Sequence, residues 1–233
     1  MRKLAVLLGV LALVACAPMA NATLTINYQI IGVNASPVVC GTGSDDGPVV
    51  CSFSGGGVNA SIVSSTSNSP GVAGEAEQLG STLELTSTAT RTVDVWFTSQ
   101  DFTQPLNGTY ESSLSTTAPS ANTVSTAALT GCIDTTNGTA PALGCAGGTL
   151  SNPSQTDTGS GSTSGTVTTG VGPLHTPYSL EQMLTLTLHS GSDFNVITSQ
   201  SIAVPEPGSM MLLGTLLIGI TTLFRKRVAR RSV

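Results

Sequence analysis

The sequence predicts a mainly β protein: one antiparallel β-sandwich body between a cleavable N-terminal signal peptide and a single C-terminal transmembrane helix. Three observations predict it. Short β-branched segments with period-two alternation recur between polar turns. Only 9% of the 233 residues are charged and 4% are aromatic, so the middle is a Val, Leu, Ile and Ala core dressed in Ser and Thr. Seven of the eight Lys and Arg residues lie at the two extreme ends, which reads as a membrane-directed arrangement.

Residues 1–22 open with Arg2 and Lys3, run through an apolar core from Leu4 to Ala15, and end in the small-x-small triplet Ala20-Asn21-Ala22. This order is that of a secretory signal peptide, with an apolar run too short for a comfortable bilayer span. Passage through the secretion translocon and cleavage by signal peptidase after Ala22 are expected. Leu13-Val14-Ala15-Cys16 also resembles a lipobox, which would make Cys16 a lipidated N-terminus; the complete cleavage site just downstream favours the ordinary route.

The exported body is expected over residues 23–200. It holds twelve carboxylates against one cation, Arg91, a net of about −11 beneath an overall charge of −5. Nucleic-acid binding, which needs cationic side chains to neutralise phosphates, is excluded. Strands are expected at 23–31, 58–65, 81–87 and 91–99. In the last, Val93, Val95 and Phe97 alternate with Asp94, Trp96 and Thr98, so one side faces a core and Trp96 lies on the other. Towards the end of the body, Ser179 and Gln182 have the spacing of a capping box and predict one short helical turn. Leu184, Leu186 and Leu188 then alternate with Thr185, Thr187 and His189 in a closing strand. Residues 151–170 hold Ser, Thr or Gly at 15 of 20 positions and predict a long flexible loop, because so little apolar surface cannot offset its ordering entropy.

Removal of the leader leaves four cysteines, Cys40, Cys51, Cys132 and Cys145. They form two local pairs in an oxidising compartment, so disulfides Cys40–Cys51 and Cys132–Cys145 are expected. A zinc site would want a C-x₂₋₄-C knuckle that these spacings lack. Catalytic signals are nearly absent: His175 and His189 are the only histidines, and there is no G-x-S-x-G elbow, P-loop or G-x-G-x-x-G. Asp45-Asp46 and Glu75-x-Glu77 match no calcium loop. No cofactor and no metal are expected.

The C-terminal stretch, residues 204–231, has three parts. Val204, Pro205, Glu206 and Pro207 form an extended tetrapeptide, since each proline removes a donor and biases its predecessor away from helix. Residues 208–224 carry no charge, and as a helix would span roughly 25 Å, slightly under a ~30 Å hydrocarbon core. Arg225, Lys226, Arg227, Arg230 and Arg231 then form a basic stop suited to a cytoplasmic face. In this order the three parts resemble a PEP-CTERM sorting signal. The resemblance implies an exported protein of a Gram-negative bacterium that makes extracellular polysaccharide. It also implies an exosortase partner, a membrane-embedded cysteine protease or transpeptidase that removes the tail. An inner-membrane-anchored intermediate with a periplasmic body would precede a cell-surface or extracellular form. The body then reads as a non-catalytic surface or matrix protein associated with extracellular polysaccharide. The alternatives are an exported hydrolase acting on that matrix, and a lipoprotein with an added C-terminal anchor.

Overall fold

The computed structural model describes residues 23–44, 47–63, 65–72, 74–118, 125–138, 154–157 and 161–204. The leader with Cys16, Ala20 and Ala22 lies outside the described residues. So do Asp45, Asp46, Cys145, Pro205, Glu206, Pro207, the 208–224 run, Arg225, Lys226, Arg227, Arg230 and Arg231. No described helix is long and apolar enough to cross a membrane.

Among the described residues thirteen strands follow in order: β1 (Thr23–Ile30), β2 (Val38–Ser44), β3 (Cys51–Gly55), β4 (Val58–Ile62), β5 (Thr66–Ser67), β6 (Glu75–Ser87), β7 (Arg91–Phe102), β8 (Gly108–Ala118), β9 (Ser125–Asp134), β10 (Ser154–Asp157), β11 (Gly161–Val171), β12 (Tyr178–Leu188) and β13 (Ser192–Ala203). They form two antiparallel sheets. The first runs β10-β9-β12-β7-β1-β2 and the second β11-β8-β13-β6-β4-β3, with β5 paired to β6 off that path. Few consecutive strands are neighbours, so the chain crosses repeatedly between sheets, and their inner faces close on each other as a sandwich.

The alternation read from the sequence builds the main core. Val93, Val95 and Phe97 of β7 lie in register with Leu186, Leu184 and Gln182 of β12, and with Ile30, Tyr28 and Ile26 of β1. From the other sheet they meet Ile62, Leu83, Leu85, Phe194 and Val196, all buried in one cluster. Each such side chain contributes roughly 1.5–3 kcal/mol by leaving water, before ordering entropy is charged against it. A smaller cluster, Ala76, Phe102, Tyr110, Ile133, Tyr178, Leu180 and Ile202, closes the end of the sandwich where β13 finishes.

Inward-facing polar residues divide the two clusters: Gln78, Gln182, Thr198 and Gln200 are all buried. Thr198 Oγ1 donates to Gln182 Oε1 at 3.0 Å. The Gln200 amide, oriented by its partners, donates to Tyr110 Oη at 2.8 Å and to Glu181 O at 3.2 Å, and accepts from Glu181 N at 3.2 Å. Gly131 of β9 leaves room for this group, since a Cβ there would overlap the Tyr110 hydroxyl.

Two expectations are corrected. The segment 151–170 contains β10 and β11, and β11 pairs with β8 over eleven residues, from Gly161↔Ala118 to Val171↔Gly108. An edge strand gains its backbone bonds from one neighbour and can leave Ser and Thr in water, so it does not need the apolar surface the loop argument demanded; its threonines suit an extended chain. Ser179 and Gln182 likewise lie within β12, not in a helical turn. Ladders on both sides hold this segment, with Ser179 opposite Asp134 and Gln182 opposite Phe97. The Ser179 hydroxyl reaches the Glu181 carboxylate at 3.5 Å instead of a helix N-terminus. Trp96 is buried, on the side of the first sheet away from the core, in register with Asn27 and Met183.

Cys40 and Cys51 form a disulfide, with Cα atoms 5.6 Å apart. It staples β2 to β3, the outermost strands of the two sheets along one edge. Cys132 is also disulfide-bonded, to a partner outside the described residues.

Candidate sorting junction and ligand face

The last strand hands directly to the tail. Ala203 ends β13, which is central in its sheet, and pairs with Glu75 on one side and Thr109 on the other. The Val204 N–H then donates to Gly74 O at 2.9 Å. Gly108, at φ 155°, lets the backbones pack this closely: a Cβ there would sit 2.5 Å from the Ala203 carbonyl oxygen. The surrounding loops are tied together. Thr103 N donates to Pro70 O at 3.0 Å and Leu174 N to Leu106 O at 2.7 Å. The Tyr178 hydroxyl shares its single proton between Gln104 O and Pro105 O, at 2.9 and 3.0 Å, and its ring stacks on Phe102 with centroids 5.5 Å apart. Burial pushes the Tyr178 phenol above its usual range, so it stays a donor. Beside the exit, burial and then the charge of Glu75 raise the pKa of Glu77.

The outward side of the second sheet presents a different chemistry. Ser52, Ser61, Glu84, Asn195, Thr117 and Ser162 lie in register across all six strands of the path. At the usual ~4.8 Å between strands this row is about 24 Å long. Further rows add Ser164, Ser115 and Ile197, then Thr166, Ser113 and Ser199, whose hydroxyls meet at 2.6 Å in the last pair. Among the described residues no cation stands on this face. No aromatic does either: of the described aromatics, all are buried except half-buried Tyr28, which is stacked on Phe53 at 4.0 Å.

A buried carboxyl pair is chemically unusual among the described residues. Glu181 and Asp134 both have little exposure, and Glu181 is pushed up to about 7, chiefly by burial, then by the Asp134 charge, against the opposing Ser179 hydrogen bond. Asp134 is already engaged by Thr136 N, Thr136 Oγ1 and Gly138 N at 2.7–2.9 Å, so it organises its own turn. That turn docks on β7 through Asn137 and Asp101, each bonded to the other. Cys132 Sγ lies 3.9 Å from Glu181 Oε2; as a disulfide sulfur it has no proton to give, so this is a packing contact. His175 and His189 are both exposed and in separate loops. Among the described residues no three His, Cys, Asp or Glu gather as a metal site.

A protein-family model for the PEP-CTERM protein-sorting motif matches residues 203–227, beginning at the last residue of β13. The chain carries a PEP-CTERM sorting signal. That is consistent with an exosortase substrate. No curated protein matches the sequence. Among solved structures, TmCBM61 in complex with β-1,4-galactotriose is 7% identical at TM-score 0.35, over 64% of this chain and 89% of that one. A family 11 carbohydrate-binding module from Clostridium thermocellum, in complex with a β-1,3-1,4-mixed-linked tetrasaccharide, is 12% identical at TM-score 0.33, over 77% and 98%. An arabinose-bound α-L-arabinofuranosidase is 14% identical at TM-score 0.29, over 66% of this chain and 23% of that one. Scores of this size carry nothing over to the present chain.

The sequence pointed to Val204 but not to its anchors Gly74, Gly108 and Thr109, whose partnership depends on long-range register. It also did not point to the outward row, although Ser and Thr at every second position of β8 and β11 are its one-dimensional trace.

Proposed function

We propose that this is an exported, non-catalytic surface or matrix protein, sorted and processed by an exosortase, whose outer face on the second sheet contacts extracellular polysaccharide. The observation that carries the sorting half is the motif match abutting the final strand. In this reading Pro205, Glu206 and Pro207 are the recognition element, 208–224 the membrane anchor, Arg225 to Arg231 the basic stop, and residues 1–22 the leader cleaved after Ala22. The Cys132–Cys145 bridge belongs to the same exported form.

The polysaccharide half rests on chemistry. A flat array of hydroxyl, amide and carboxylate groups can exchange hydrogen bonds with sugar hydroxyls, and an acidic, cation-free face repels anionic polymers. Without an aromatic to stack on, each sugar contact is weak, and useful affinity comes from many contacts along one chain. Neutral polymers should therefore be retained while their short oligosaccharides are not. Affinity electrophoresis of the body through gels containing neutral or anionic polysaccharide tests this; equal mobility in every gel would refute it. Replacement of Ser115, Thr117 and Asn195 by Ala, all on the outward face, should abolish the retardation without altering the circular dichroism.

The competing reading, a matrix hydrolase, has one observation in its favour: a carboxyl pair with one member titrating near neutrality, the arrangement glycosidases use. Both groups are buried, and Asp134 spends its oxygens on its own turn. Release of reducing sugar from neutral polysaccharide that is lost in Glu181→Gln would favour the hydrolase.

A further inference from the structure

We propose that, before processing, the end of the sandwich bearing Val72 and Leu106 lies against the headgroup layer of the membrane holding the tail, with the opposite end pointing away. This rests on the sorting reading, in which residues 208–224 sit in the bilayer. The argument is one of reach. The chain is fixed up to Val204 by the Ala203 ladder on both sides and by the bond to Gly74. From Val204 to Gly208, where the uncharged run begins, the chain can extend only about 14 Å at ~3.5 Å per residue, and two prolines within it limit how it bends. A sandwich cannot tumble freely on so short a tether. The strand that feeds the tether, β13, is central in its sheet, so the end face it leaves from must sit close to the bilayer.

That end face is suited to contact. Val72 and Leu106 are 59% and 40% exposed. Val72 exchanges both backbone bonds with Glu75, which is opposite Ala203. Leu106 is two residues from Gly108, which packs on the Ala203 carbonyl. Both therefore flank the exit. The loops carrying them are held together by the Thr103–Pro70, Leu174–Leu106 and Tyr178–Gln104 bonds, which present the apolar pair on a firm support. Glu75 and Glu77 beside the exit would be repelled by anionic lipid, which leaves a neutral headgroup layer as the partner. At the far end of the sandwich, Ile31 and Val33 are similarly exposed and serve as the internal comparison.

The full chain, produced in an exporting host without an exosortase and reconstituted into phosphatidylcholine vesicles, tests this. A small environment-sensitive fluorophore is attached at Leu106→Cys or Val72→Cys, and at Val33→Cys as the distal control, with a headgroup-located spin quencher in the vesicles. At least threefold stronger quenching at positions 106 and 72 than at 33 is expected. Equal quenching at all three, or stronger quenching at 33, overturns the orientation. Failure of the chain to float with the vesicles overturns it differently, by removing the anchor and with it the sorting reading. Two proximal positions guard against one variant misfolding, and each must keep the β-rich circular dichroism of the parent.

Discussion

Leu184, Leu186 and Leu188 in the main cluster, and Tyr110, Tyr178 and Gln200 beside the tail, close the same sandwich by different means. The first set is aliphatic, buried, and joined to its surroundings only by packing. The second mixes rings with hydroxyl and amide groups that must each find a partner, and it finds them in loop carbonyls and across the sheets. Apolar packing tolerates any neighbour of suitable volume. Buried polar groups tolerate only specific ones, because an unmet donor or acceptor costs about 1–3 kcal/mol. The difference teaches where a chain that leads into a sorting signal keeps its precision: at the junction, while bulk stability comes from the leucines.

The largest effect should come from breaking the aliphatic side. Leu186→Ala in the body (residues 23–204) should cost about 3 kcal/mol, since Leu186 is buried between β7 and β9 and little can collapse into its place. Urea unfolding should show a lower midpoint with an unchanged slope. A loss under ~1 kcal/mol would mean that the main cluster does not hold the fold.

Next comes the staple at its edge. Replacing both Cys40 and Cys51 by Ala reopens a loop with a sequence separation of 11, which the chain-entropy model values at about 3 kcal/mol. Cys40 and Tyr28 pack against the main cluster, so the loss should appear as a global drop, with the tail-proximal loops falling no further than the rest. Hydrogen exchange that loosens the junction first would break the comparison.

Glu181 gives a pH-dependent contrast. Its folded pKa, about 7, lies above its ordinary value of 4.5, so the folded form holds this proton more tightly than the unfolded chain does. Below about pH 4.5 both forms are protonated and burial carries no ionic penalty; stability then falls as pH rises to about 7 and levels off above it. Glu181→Gln removes the ionisation. It should be close to neutral near pH 4.5 and stabilising by on the order of 2 kcal/mol at pH 8. Thermal melts of both forms at the two pH values check this; a stabilisation that does not depend on pH would show that the carboxyl is not buried in the ionised state.

How much of this was legible in the sequence follows the same division. Val93, Val95 and Phe97 announced β7 and its core face by alternation alone, and Leu184, Leu186 and Leu188 announced β12, because aliphatic burial writes itself into a period of two; that segment is not the closing strand, since β13 follows it. The Cys40–Cys51 pair was legible from proximity and export. The tail was legible because its three parts are contiguous. Residues 161–171 were not, since a strand that takes its bonds from one neighbour and exposes its threonines looks like a loop to any argument from apolar content. Ser179 to Gln182 misled for a related reason: local spacing favoured a helical turn, but two flanking ladders prevailed. The Tyr178 and Gly108 contacts depend on segments some 70 to 95 residues away, which no local pattern encodes.

The smallest expected effect is the most informative about the junction. Tyr178→Phe keeps the stack on Phe102 and deletes only the hydroxyl, leaving the Gln104 and Pro105 carbonyls to find water or go unpaired. The global loss should be modest, about 1 kcal/mol, the usual worth of a neutral hydrogen bond. Its distribution matters more than its size. Thr103, Leu174 and Val204 donate the bonds that tie these loops and the tail exit together, so their amides should exchange several-fold faster in the variant. Amides within β4 and β7 near the main cluster should change only by the global amount. If all amides shift equally, the hydroxyl merely adds to one cooperative unit. If the three junction amides shift alone, the end of the sandwich that feeds the sorting signal opens separately from the core, and Tyr178 is what holds it shut.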